Sequence, residues 1–138
     1  MSHGLEFKEQ GFFYQGSIGA AYNKESLQKQ GITHILTVAE KIDPAFPAAL
    51  TYKVIPMYDD PAENVHGSFE EANQFIDEAF LDPKSKVLVH CFAGKSRAST
   101  FTLAYMMHRL QLDLKTCFEH LKQCRPIAEP NSGFIAQL

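Results

Sequence analysis

Short apolar runs and longer amphipathic stretches alternate along this chain. The run 87–89, Val-Leu-Val, is continuously apolar, which is typical of a central strand covered on both faces. Three further short apolar segments predict strands at 12–14, 35–38 and 52–55. Because these strands alternate with helical segments, we predict an α/β fold with a central, largely parallel sheet of about five short strands flanked by helices.

Two helices are predicted before the central strand. The first spans 23–30 and ends at Gly31, a residue type that commonly follows a helix C-terminus. The second is expected to begin at Ser68, because Glu71 would complete a capping box with it.

The helices after the central strand have clearer limits. The segment 97–110 is apolar on nearly all sides, as expected of a helix inside a domain. The next helix takes Asp113 as its N-cap and ends at Arg125-Pro126. A last helix is expected to begin near Asn131.

Composition excludes several classes of protein. The 138 residues fit one domain, 1–138, of a size that needs neither a metal ion nor a disulfide to fold. The net charge of −3 gives no sign of a nucleic-acid partner or of binding to an acidic membrane surface. No apolar run approaches the roughly 20 residues of a membrane span.

The cysteines and the first ten residues bear on the cellular compartment of the protein. Cys91, Cys117 and Cys124 form no Cys-x-x-Cys pair, which argues against a disulfide framework and a zinc site. Residues 1–10 contain no apolar core of a secretion signal. We therefore expect a protein of the cytoplasm, with the nucleus as an additional location. We also expect a monomer.

The segment 87–97 carries the candidate chemistry. A buried strand ends at His90, a loop follows, and a buried helix begins at about Arg97, which is the strand–loop–helix arrangement of an anion site. Gly94 would allow a positive φ in the loop, and Arg97 would close the site with its guanidinium. We call residues 91–97 the phosphate cradle. Its expected phosphate-binding residues are Phe92, Ala93, Gly94, Lys95, Ser96 and Arg97.

Cys91 lies at the base of this cradle and is the candidate nucleophile. The inward amides, the helix dipole and Arg97 favour its thiolate, which is the reactive form. A leaving alcohol or phenol also needs a proton. Asp59 and Asp60 follow the strand at 52–55, and in a parallel sheet their loop and the cradle emerge at the same edge. Either carboxyl group could be the general acid.

At these residues the sequence resembles the dual-specificity protein phosphatases. The signature His-Cys-x-x-Gly-x-x-Arg is matched by His90, Cys91, Gly94 and Arg97. The resemblance covers nearly the whole chain and implies a dual-specificity phosphatase-like fold without a metal or organic cofactor. It implies Cys91 as nucleophile, Arg97 as phosphate clamp and Asp59 as general acid.

His90 and Asn131 are expected to support the site from behind, although Asn131 could equally well cap a loop. Further matching segments are Gly31–Leu36, Tyr52–Pro56, Arg125-Pro126, Pro130-Asn131, Gly133-Phe134 and Gln137-Leu138.

One position departs from the family pattern. The family usually has Ser or Thr directly after the arginine, where this chain has Ala98, followed by Ser99. That hydroxyl is thought to stabilise the sulfur as it leaves the phosphoenzyme, so we predict slow phosphoenzyme hydrolysis.

The predicted function is hydrolysis of phosphotyrosine and phosphoserine or phosphothreonine in proteins, through a phosphocysteine intermediate. Two alternatives stay open. Lys95 in the cradle could favour a more anionic substrate, such as a phosphoinositide or an RNA phosphate. Ala98 keeps open a pseudophosphatase, which binds phosphorylated partners without turnover.

Overall fold

One five-stranded sheet organises the chain. The computed structural model describes residues 5–7 and 11–138. The strands are β1 (Leu5–Phe7), β2 (Gly11–Gly16), β3 (His34–Thr37), β4 (Thr51–Val54) and β5 (Lys86–His90). The helices in this part of the chain are α1 (Ile18–Ala21), α2 (Lys24–Gln30), α3 (His66–Ala79), α4 (Arg97–Leu110), α5 (Leu114–Cys124) and α6 (Ser132–Gln137).

The sheet has the strand order β1-β2-β5-β3-β4. Strand β5 is central and pairs in parallel with β2 on one side and β3 on the other. Strand β4 also runs parallel, whereas β1 pairs antiparallel with β2 at the edge. The predicted α/β fold with a largely parallel sheet is confirmed. The edge strand β1 was not predicted.

Helices cover both faces of β5. Because side chains alternate along a strand, Val87 and Val89 contact the larger core, which includes Phe101 of α4. Leu88 points to the opposite face and packs with Leu27 of α2. Helix α4 is buried from its first residue through Met106, as its apolar sequence predicts.

Local capping explains several helix limits. Asn23 accepts a hydrogen bond from the Ser26 amide at the start of α2, and Gly31 ends that helix with a left-handed φ of 73°. Asp113 caps α5 in the predicted way, with the Thr116 amide as its donor. These predicted ends are confirmed.

The predicted start of α3 was wrong. The helix begins at His66, so Ser68 and Glu71 lie inside it and form no capping box. The side chain of Gln137 takes the place of a local cap, because its Oε1 accepts from the amides of Val65 at 2.8 Å and His66 at 2.9 Å. A partner 72 positions away is invisible to a local sequence pattern.

No helix in the described ranges 5–7 and 11–138 has both the length and the apolar character that crossing a membrane requires.

Candidate active site

The nucleophile candidate lies directly after the central strand. Cys91 follows β5 and is 2% exposed. Its Sγ accepts hydrogen bonds from the amides of Gly94 at 3.3 Å and Ala98 at 3.4 Å. The second amide belongs to the first turn of α4, where the helix dipole favours negative charge. These groups are suited to holding a thiolate.

The carbonyl groups of the cradle are held on its outer side. In a planar trans peptide the carbonyl and the following N–H point in opposite directions, so a carbonyl held outside directs the next N–H inward. The Gly94 amide shows this arrangement, since the preceding carbonyl is bonded outside and the N–H faces Cys91 Sγ. The outer donors are His90 Nδ1 to Cys91 O (3.0 Å), Ile18 N to Phe92 O (2.9 Å), Arg125 Nη2 to Ala93 O (3.3 Å), Arg125 Nε to Gly94 O (2.6 Å) and Glu129 N to Lys95 O (2.8 Å).

Gly94 is required by both conformation and space. Its φ is 69°, which confirms the predicted positive angle. A Cβ there would lie 2.5 Å from Arg125 Nη2 and 2.5 Å from the carbonyl oxygen of Gly16. Any larger residue would therefore push apart the groups that shape the cradle.

Arg97 is fixed before any ligand arrives. Its Nη1 bonds the Glu40 carboxylate and the Met57 carbonyl, the latter at 2.9 Å, and the residue is only 8% exposed. Its Nε is buried and has no hydrogen-bond partner in the described part of the chain. An unpaired buried donor is costly, and a bound oxyanion would satisfy it. This geometry suits a phosphate clamp.

Asp59 lies in a loop, residues 56–64, which we call the acid loop and which is exposed at 58–62. Its Oδ1 accepts a hydrogen bond from Asn131 Nδ2 at 2.9 Å. Asp60 instead accepts from the Ala62 amide at 2.9 Å, a local turn contact. Of the two candidates, Asp59 is the one tied to the cradle side of the molecule.

Asn131 contacts the acid loop and the cradle, and it caps a helix instead of the loop that the sequence left as the alternative. Its side chain holds Asp59, and its backbone N–H donates to Ser96 Oγ in the cradle at 2.9 Å. Its Oδ1 also caps α6 by accepting from the Phe134 amide at 2.9 Å. Bracing and capping therefore coexist in one residue.

His90 supports the loop from below. Its Nδ1 contacts the Cys91 carbonyl at 3.0 Å and its Nε2 contacts Thr37 Oγ1 at 2.8 Å. Burial lowers the pKa of His90, against a smaller opposite effect of the Cys91 backbone bond. Because a carbonyl only accepts, Nδ1 carries the proton of the neutral ring and Thr37 donates to Nε2. The ring therefore orients the loop.

The rim of the cradle combines a paired charge with exposed aromatic side chains. Lys95 Nζ lies 3.2 Å from a Glu129 carboxylate oxygen, and both side chains are largely exposed. Phe92 of the cradle and Tyr58 of the acid loop are exposed as well. Lys95 therefore presents a charge that is already partly compensated.

Three residues that shape the site were not predicted to do so. Gln15 donates to Gly94 O, Glu40 binds Arg97, and Arg125 was assigned only to a helix end and a family segment. Two of them carried a signal in the sequence: Gln15 is polar within an apolar strand, and Glu40 follows the carboxyl end of β3. Their partners could not be named, because the contacts join distant parts of the chain.

Known proteins resemble this chain over most of its length. The sequence model of the dual specificity phosphatase catalytic domain matches residues 13–138. "Dual specificity protein phosphatase 1" of Arabidopsis thaliana is 47% identical over 130 residues, which are 94% of this chain and 65% of that protein. "Dual specificity protein phosphatase 1B" of the same plant is 40% identical over 94% of this chain and 77% of its own length.

Solved structures agree in fold. The crystal structure of DUSP15 has a TM-score of 0.87 and 33% identity, covering 97% of this chain and 83% of that one. The human tyrosine phosphatase-like serine/threonine/tyrosine-interacting protein gives a TM-score of 0.86 and 32% identity, with coverages of 97% and 91%. The chain spans less of its longer relatives, for example 19% of human "Protein phosphatase Slingshot homolog 3".

Proposed function

The chain belongs to the dual specificity phosphatase family, and we propose that it removes phosphate from phosphotyrosine and phosphoserine or phosphothreonine in proteins. The observation that carries this proposal is the sulfur of Cys91, which accepts two amide hydrogen bonds at the floor of a cradle closed by Arg97. The identity with named dual specificity phosphatases supports it.

In the first step the Cys91 thiolate attacks phosphorus in line with the leaving oxygen. The S–P bond forms as the P–O bond to the substrate side chain breaks. The inward amides and Arg97 stabilise the charge on the three equatorial oxygens. Asp59 gives its proton to the departing oxygen, so the side chain leaves as a neutral alcohol or phenol.

In the second step water attacks the phosphocysteine. Asp59, now a carboxylate, takes a proton from the water, the new P–O bond forms and the S–P bond breaks. Inorganic phosphate leaves and the thiolate is restored. Neither step requires an additional reactant beyond water.

A protein substrate fits the rim better than a polyanionic one. The Glu129 carboxylate compensates the Lys95 ammonium group, which reduces the attraction of the rim for additional phosphates. Exposed Phe92 and Tyr58 offer apolar surface to a peptide instead. A phosphoinositide or RNA substrate is therefore the weaker proposal.

Ala98 supports a second candidate, a module that binds phosphorylated proteins with little turnover. Ala98 has no hydroxyl for the leaving sulfur. Ser99 is completely buried and its Oγ is 2.7 Å from the Gln15 amide nitrogen. The neighbouring hydroxyl is thus engaged on the side of β2.

The test is hydrolysis of an aryl phosphate with reductant and without metal, from pH 5 to 8, by the native chain and Cys91→Ser. Turnover that is lost in Cys91→Ser supports the thiolate mechanism. Phosphotyrosine, phosphoserine, phosphoinositide and RNA substrates are then compared at equal concentration. If the native chain binds tungstate but turns nothing over, the binding module is the correct function.

A further inference from the structure

Gln15 is a buried polar side chain within an apolar strand. It lies on β2, is 2% exposed and follows Phe13 and Tyr14. Burial of an amide is costly unless hydrogen bonds replace its water. Its Nε2 donates to two acceptors, the carbonyl oxygen of Gly94 at 3.1 Å and Oγ of Ser99 at 2.7 Å. One amide therefore joins β2 to the cradle and to α4.

The Gly94 carbonyl is held from two directions. Gln15 approaches from β2, and Arg125 Nε approaches from the end of α5 at 2.6 Å. Since the peptide is trans, this fixes the N–H of Lys95 on the opposite, inner side. That N–H has no hydrogen-bond partner in residues 11–138.

The two donors to the Gly94 carbonyl, Arg125 and Gln15, differ in charge and in burial. Arg125 is half-buried, and burial lowers its pKa while the charge of Cys91 raises it. Its electrostatic interaction with the site therefore changes with the charge of Cys91. Gln15 is neutral and enclosed, so it restrains the same carbonyl without adding charge. A neutral restraint keeps the cradle in shape while the sulfur changes from thiolate to phosphocysteine.

We propose that Gln15 is a positioning residue of the phosphate cradle: it holds the Gly94 carbonyl outward and so keeps the Lys95 N–H directed at a phosphate oxygen. The inference rests on the proposed function, because it takes the ligand of the cradle to be a phosphate group. Gln15 itself touches no substrate. Its effect appears in the affinity of the cradle for oxyanions.

The two hydrogen bonds that Gln15 Nε2 donates to Gly94 and Ser99 can be separated by mutation. Gln15→Met keeps the length and volume of the side chain and removes both bonds. Ser99→Ala removes only the bond to α4 and leaves the bond to Gly94. If Gln15 merely fastened β2 to α4, the two variants would behave alike.

The experiment measures tungstate binding by calorimetry for the native chain, Gln15→Met and Ser99→Ala, with unfolding curves for each. We expect Gln15→Met to bind tungstate about fivefold to tenfold more weakly, the effect of one hydrogen bond to a charged group. Ser99→Ala should stay within about twofold, because the Gly94 contact is intact. In turnover, KM for an aryl phosphate should rise more than kcat falls.

Equal tungstate affinity in native and Gln15→Met overturns the inference, and so does equal weakening in both variants.

A second measurement uses only the native chain. The Lys95 amide proton should move downfield in the NMR spectrum when tungstate binds, because it gains a charged acceptor. A Lys95 amide that does not respond, in a protein that binds tungstate, overturns the inference even if Gln15→Met fails to fold. A native chain that binds no tungstate overturns the proposed function and this inference together.

Discussion

The phosphate cradle and the acid loop act together in the proposed reaction but are built in opposite ways. In the cradle, Cys91, Ser96 and Arg97 are buried, and the carbonyls from Cys91 to Lys95 have donors outside. In the acid loop, residues 58–62 are exposed. The hydrogen bonds within it are short-range: the Tyr58 amide donates to the Glu63 carboxylate at 3.2 Å, and the Glu63 amide donates to the Asp60 carbonyl at 2.9 Å.

This difference follows from what each region must do. The phosphate group is the same in every substrate, so a preorganised site can match it and gains electrostatic stabilisation without reorganisation. The leaving oxygen belongs to side chains of different length and shape. A carboxylic acid on an exposed loop, tied by one hydrogen bond to Asn131, can follow that oxygen. Rigid charge stabilisation and adjustable proton transfer are thus assigned to different segments.

The largest expected effect tests the acid loop. Asp59→Asn should lower kcat/KM for phenyl phosphate, which reports formation of the phosphoenzyme, by about 10²–10⁴, because the leaving oxygen loses its proton donor. An aryl phosphate with a strongly acidic leaving phenol should be affected much less. Asp60→Asn is the matched control and should remain close to native, since Asp60 serves the turn. Equal losses in the two variants would remove the assigned role of Asp59.

The rigidity of the cradle is tested by Arg97→Lys. A lysine keeps the charge but cannot hold Glu40, Met57 and a phosphate oxygen from one planar group, so kcat/KM should fall by about 10²–10³. Arg109→Lys on the same helix is the control and should have no such effect. If Arg97→Lys keeps native kcat/KM, charge alone is sufficient and a fixed cradle is unnecessary.

Ala98→Ser tests whether the cradle of the native chain lacks a group that speeds phosphoenzyme hydrolysis. A hydroxyl at the start of α4 would stabilise the departing sulfur, so phosphoenzyme hydrolysis should accelerate by about tenfold. Rapid-quench experiments on the native chain should show phosphocysteine accumulating, and less of it in the variant. A native phosphoenzyme that never builds up would contradict this expectation.

The link between the two regions is tested at Asn131. Asn131→Ser keeps a side-chain acceptor for the Phe134 amide but is too short to donate to Asp59, so kcat should fall about fivefold while thermal stability stays near native. Asn131→Ala should lose about 1 kcal/mol in addition, because α6 loses its cap. Equal stability of the two variants would show that the cap contributes nothing.

The smallest effect concerns stability and pH. Burial lowers the pKa of His90 in the folded state, so the unfolded chain takes up this proton first as the pH falls. The free energy of unfolding should therefore decrease below about pH 6.5, by at most about 1.4 kcal/mol per pH unit, until the folded-state pKa is reached. Urea unfolding of the native chain and His90→Gln at pH 7.5, 6.5 and 5.5 measures the contribution. Parallel pH curves for the two proteins would exclude it. His34, whose pKa burial also lowers, adds to both curves alike.

Local patterns predicted much of the fold. The limits of α4 agree with the predicted range 97–110, because its apolar sequence and the preceding loop leave no other arrangement. Asp113 and Gly31 mark helix ends by their own chemistry. The start of α3 was missed because Gln137, from the other end of the chain, supplies the acceptor that Ser68 was expected to supply.

In the candidate site, too, local features were predicted and long-range contacts were not. The motif predicted the cradle, its positive φ at Gly94 and the placement of the sulfur, because all of these lie within one continuous segment. Glu40 and Gln15 carried visible signals as polar residues on or directly after strands. Their partners depended on which strands are neighbours, and strand order is a property of the tertiary fold.

The hydrogen bonds that hold the cradle from outside have a consequence for folding kinetics. Gln15 and Gly94 are 79 positions apart, Asp59 and Asn131 are 72 apart, and Arg125 reaches back 31 positions to Gly94. Contacts of such high sequence separation are formed late, because each must overcome the entropy of closing a long loop. A chain synthesised only through α4 contains the nucleophile but lacks Arg125 and Asn131. The ability to bind an oxyanion should therefore appear in one of the last folding steps, after the sheet and its helices have assembled.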